Sequence, residues 1–106
     1  MFVKLSADGR VTLEDGTNFR AFKLVVEGKP ENLDAVRKTL AGTAELPDKD
    51  TAWVYEAALR GRPEVAQDAA WQASLGTMIE KAKPHGWIDE QRKAIKAHIE
   101  WTEQTG

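Results

Sequence analysis

The sequence predicts a small α+β domain: an N-terminal antiparallel β-meander, three helical segments and a C-terminal β-hairpin, packed as two layers. Three observations carry this. Alternating apolar residues and two Asp-Gly pairs fill the first 28 positions. Apolar residues at helical spacing dominate the middle, and strict alternation returns in the tail "AIKAHIEW". Period two marks half-buried strands and period 3.6 marks amphipathic helices.

In the first third, Val3 and Leu5 share one face, then Val11 and Leu13, then Phe22, Leu24 and Val26, and Gly28 ends the run. Asp8-Gly9 and Asp15-Gly16 supply the positive φ values that tight reversals need. Next, Pro30 suits a first helical position, and Glu31 and Asp34 suit the positive end of a helix dipole. Leu33, Val36 and Leu40 then fall on one face before Gly42, so a short helix is expected over 31–41. "TAELPDKD" is linker-like but too short to separate domains. Trp53, Val54 and Tyr55 favour a strand, whereas "EAALR" favours helix. An extended piece at 52–54 is therefore expected to pass into a helical turn that stops at Gly61.

The strongest helical signal covers 64–82, where Trp71, Leu75, Met78, Ile79 and Ala82 form one stripe. Glu64 and Asp68 would sit in its first turns. Gly76 costs up to ~1 kcal/mol there relative to Ala, which suggests a close neighbour. Pro84 and Gly86 stop the helix. In the tail, Ile95, Ala97, Ile99 and Trp101 face one way and Lys96, His98 and Glu100 the other. Trp53, Trp71 and Trp101 are expected in the core, as indoles bury large apolar areas.

One domain spanning 1–106 is expected, because this length suffices for a core without disulfides or metal. The chain has no cysteine, which excludes thiolate chemistry and fits a cytoplasmic location. "MFVKLSADGR" does not read as a signal peptide, and no run approaches the ~20 apolar residues of a membrane span. The formal net charge of −2 argues against nucleic acid as a partner. A winged-helix-like C-terminal half is the alternative architecture and would make a nucleic-acid binder. However, its recognition helix would carry Glu64, Asp68 and Glu80 with only Lys81 basic, a poor set for reading base edges.

The sequence holds no established catalytic or binding motif. Its most distinctive stretch, "KPHGWIDEQRKAIKAHIEW", contains both histidines and two of four tryptophans. From Lys81 to His98 there are five basic residues against two acidic ones. If "GWID" pairs with "AIKAHIEW" across Glu90–Lys93, Ile88 faces Ile95, Trp87 faces Lys96 and His85 faces His98. The polar face of that hairpin would then present His85, Trp87, Lys96, His98 and Glu100, with Arg92 at the turn.

These six residues are the candidate site, read as a surface for a small anionic or aromatic ligand or for a partner protein. Trp87 would serve as platform, with Arg92, Lys96 and the histidines as donors. No cofactor and no metal is implied, as two histidines and a carboxylate fall short of a ligand set. The enzymatic alternative, a small enzyme or accessory subunit, is a His85/His98 acid–base pair. The bland alternative is a solvated sheet face with a Trp–Lys packing pair. A monomer or weak dimer is expected, the dimer through a free strand edge.

Overall fold

A computed structural model describes residues 1–102. Among these, seven strands form one mixed sheet: β1 (Phe2–Leu5), β2 (Val11–Glu14), β3 (Lys23–Glu27), β4 (Ala44–Glu45), β5 (Thr51–Tyr55), β6 (Ile88–Asp89) and β7 (Ala94–Thr102). The helices are α1 (Leu33–Thr39), α2 (Glu56–Arg60) and α3 (Ala69–Ala82), with 3-10 turns at Pro30–Asn32 and Lys83–His85. The α+β class therefore holds. The sheet order is β2-β1-β3-β7-β5-β4, with β6 also on β7.

The expected meander is replaced by a different arrangement. β1 and β2 pair antiparallel, but β3 lies parallel to β1 on its other side, with Phe2 opposite Lys23 and Leu5 opposite Val26. Residues 15–22 therefore cross over the start of β1 instead of turning back beside β2. The carbonyls of Asn18 and Ala21 accept from the Met1 ammonium, which holds this crossing down. Apolar alternation is identical in both arrangements, because it specifies which residues point inward and not which strands are neighbours.

The winged-helix alternative fails on the position of β7. That strand lies inside the sheet, parallel to β3 and antiparallel to β5, and does not project as a wing. The C-terminal hairpin is correspondingly small. Only Ile88 with Ile95 and Asp89 with Ala94 pair between β6 and β7.

One core cluster joins the inward side chains of the sheet to all three helices. Val3, Leu24, Val26, Val54 and Ile99 meet Val36 and Leu40 around α1, Leu59 of α2, and Trp71, Leu75 and Ile79 of α3. Burying side chains of this size stabilises by ~1.5–3 kcal/mol each. Of the three tryptophans expected inside, only Trp71 is buried. Its Nε1 donates to the Gly16 carbonyl at 2.7 Å, tying α3 to the crossing loop. Trp53 is half-buried on the opposite face, because Ala52 and Val54 occupy the inward positions of β5. Trp101 packs against the core rim and donates to the Lys49 carbonyl.

Helix α3 begins at Ala69, five residues later than the sequence suggests. Asp68 is its N-cap, accepting from the Trp71 N–H at 3.0 Å, so a short polar side chain sets the boundary. Glu64 lies outside the helix and serves the sheet. In β2, the backbone groups of Val11 and Leu13 point away from β1. Glu64 Oε2 accepts from the Leu13 N–H at 2.8 Å, and Arg62 donates to the Val11 carbonyl at 2.7 Å. The two side chains also pair with each other at 3.1 Å. At the far edge, Ala44 donates to the Leu40 carbonyl, and Arg37 Nε donates to the Leu46 carbonyl at 2.8 Å. Both outer strands thus have groups that would recruit another strand already satisfied.

A candidate ligand cavity beside a break in the sheet

The cavity arises from how β7 is flanked. β5 runs along one edge of β7 from Ala94 to His98. On the other edge β6 covers Ala94 and Ile95, and β3 begins only at His98. Lys96 and Ala97 therefore lie opposite a break between β6 and β3. A cavity of about 670 Å3 opens there, within the size range of small-molecule sites.

Local sequence shapes its rim. Pro84 lies in the 3-10 turn that follows α3, and Gly86 takes φ 75°, a left-handed conformation that reverses the chain. The Trp87 N–H then reaches the Ala82 carbonyl at 3.4 Å, and the Trp87 carbonyl accepts from Lys96 N–H at 2.7 Å. This reversal brings His85 onto Trp87: the rings stack with centroids 4.4 Å apart and planes 19° off parallel. Trp87 is the large apolar side chain most open to solvent among the described residues, at 48 % exposure.

The strand period sorts the cavity walls. Ile95 and Ala97 point to the core side, where Met78 and Ala82 of α3 and Phe19 and Phe22 of the crossing loop also line the space. Lys96 and His98 point to the opposite face, where Thr51 is the strand partner of His98, and Asp50 also lines the cavity. Arg20, Ala21 and Lys81 complete the lining. Among the described residues, no carboxylate lies within ion-pair distance of Arg20, Lys81 or Lys96, whereas Asp50 is paired with Lys49 at 3.6 Å. Among the described residues, the lining thus holds three cations without an ion-pair partner against one carboxylate, Asp50.

Of the six candidate residues, His85, Trp87, Lys96 and His98 line this cavity. Arg92 and Glu100 do not. Arg92 pairs with Glu45 at 3.2 Å and Asp89 at 3.5 Å, and Glu100 pairs with Lys23 at 3.4 Å. The expected cross-strand pairing of His85 with His98 does not form, because His85 belongs to the 3-10 turn and β6 begins at Ile88. His98 has Lys23 and Thr51 as its strand neighbours. Among the described residues, no group of three or more His, Cys, Asp or Glu is placed to hold a metal ion.

Sequence reasoning missed Phe19, Arg20, Phe22, Asp50, Thr51 and Met78 as cavity residues. The crossing of residues 15–22 over β1 delivers the first three, and nothing local signals that crossing. Lys81 was counted in the basic stretch, but only the orientation of α3 shows where it points.

No helix among the described residues is long and apolar enough to cross a membrane. No family model, curated protein or solved structure matches the chain.

Proposed function

We propose that this chain is a non-catalytic binding domain whose cavity takes a small anionic ligand with an aromatic group. The observation that carries this reading is the combination of a stacked His85–Trp87 pair with three cations that have no ion-pair partner among the described residues, around one concavity. An indole face and ammonium or guanidinium groups recognise a planar anion by stacking and charge-assisted hydrogen bonds. A concavity of this size suits a small molecule better than a flat protein surface does.

The acid–base alternative has less support. An imidazole acting as a base is normally oriented by a partner on its other nitrogen. Among the described residues neither the His85 nor the His98 imidazole has a hydrogen-bond partner. Binding needs no such partner.

The test is a titration with 2-naphthoate and with neutral 2-naphthalenemethanol, following the indole N–H resonances by NMR. Trp87→Phe identifies the Trp87 signal by its loss. The expected result is a saturable shift of that signal, with the alcohol at least about tenfold weaker, as a lost charged hydrogen bond implies. Equal binding of the two compounds, or no shift with either, refutes the reading.

A further inference from the structure

Resting on that reading, we propose that the ligand is an amphiphilic anion bound through the break in the sheet, its apolar body on the core side and its single anionic head on the open face. The argument is the alternation of β7 at Lys96 and Ala97, between β6 and β3, where among the described residues the edge is met by the Trp87 backbone and by no paired strand. Ile95 and Ala97 are 3 % and 2 % exposed and face the core layer, together with Met78. Lys96 and His98 are exposed on the other face. In a continuous sheet the next strand would separate these two surfaces. Here a single cavity is lined by both.

A ligand filling it therefore meets the apolar side chains of Ile95, Ala97 and Met78 on one side of β7 and Lys96 and His98 on the other, with Arg20 and Lys81 also in the lining. Inorganic phosphate has no apolar part and leaves the inner wall unused. A polyanion would bring extra negative charge into a cavity that Asp50 also lines. A compact carboxylate or sulfonate on an alkyl or aryl body satisfies both walls.

The experiment compares butyrate, hexanoate, octanoate, octanol and inorganic phosphate by NMR, reading the Met78 methyl and the Trp87 indole signals together. 2-Naphthoate is the reference. Affinity is expected to rise by up to about fourfold per added methylene, and octanoate is expected to move both signals and to exceed octanol and phosphate. Met78→Gln should flatten the chain-length series while keeping the preference for carboxylate over alcohol. Lys96→Gln should do the reverse. Far-ultraviolet circular dichroism establishes that both variants are folded. A flat series, or a Trp87 shift with the Met78 methyl unmoved, overturns the proposal while naphthoate binding keeps the broader reading intact. Loss of naphthoate binding as well overturns both.

Discussion

Removing the Glu64 carboxylate tests whether the β2 edge is held by side chains. Glu64 Oε2 accepts from the Leu13 N–H at 2.8 Å, and Leu13 itself is 6 % exposed. In Glu64→Ala that N–H loses a charge-assisted bond, and Arg62 loses its carboxylate while keeping the Val11 carbonyl. Hydrogen bonds to charged groups contribute ~1.5–3 kcal/mol net. Because the edge is partly open to water, which replaces some of this, a loss of about 1–2 kcal/mol is expected. For a domain of this length that lowers Tm by roughly 5–10 °C. Glu64→Gln retains an acceptor without the charge and should fall between.

The pH dependence has a definite sign. Partial burial raises the Glu64 pKa, but the hydrogen bonds from Leu13 and Arg62 outweigh it and leave the carboxyl below its ordinary value of 4.5. The stabilisation is therefore complete above that value and is lost as pH falls through the lower folded-state value. The Tm difference between wild type and Glu64→Gln should be constant near neutrality and close in acid. Thermal melts by circular dichroism measure this, and sedimentation measures whether the bared edge recruits a second copy. A Glu64→Ala melt within about 1 °C of wild type, or a gap that widens in acid, would refute the reasoning.

Two glycines predict opposite outcomes for one substitution. At Gly76, inside α3, an added Cβ meets Arg60 Nη2 at 3.6 Å, an ordinary contact, so the close approach expected there is not needed. Gly76→Ala should stabilise by up to ~1 kcal/mol through helix propensity, seen as a raised urea midpoint. At Gly86, φ is 75° with open space around the added Cβ. Gly86→Ala should destabilise by ~1–2 kcal/mol through backbone strain alone, and it should also perturb the Trp87 indole resonance. An unchanged midpoint for the latter would show that the reversal into β6 tolerates another backbone conformation.

Period and punctuation determined much of this protein. The alternation in "KLVVE" and "AIKAHIEW", the stripe from Trp71 to Ile79, and the stops at Gly61 and Gly86 place strands and helices close to where they occur. They also pick most of the inward residues, because a side chain's face follows from local geometry alone. Strand neighbours are a different kind of information. Whether β3 lies beside β2 or beyond β1 depends on which pairing buries the shared apolar face against α1 and α3. Only the whole chain decides that.

The candidate site shows the same division. Local sequence put His85, Trp87, Lys96 and His98 in one stretch. Their common cavity comes from β3 starting at Lys23 and β6 starting at Ile88, which leaves Lys96 and Ala97 opposite a break. Arg92 and Glu100 drew attention by the same proximity and were claimed by Glu45, Asp89 and Lys23. A charged side chain takes the nearest opposite charge in space, and tertiary structure sets that distance. The sequence by itself thus determined most of the elements and their faces, and the tertiary structure decided the neighbours, the break and the cavity.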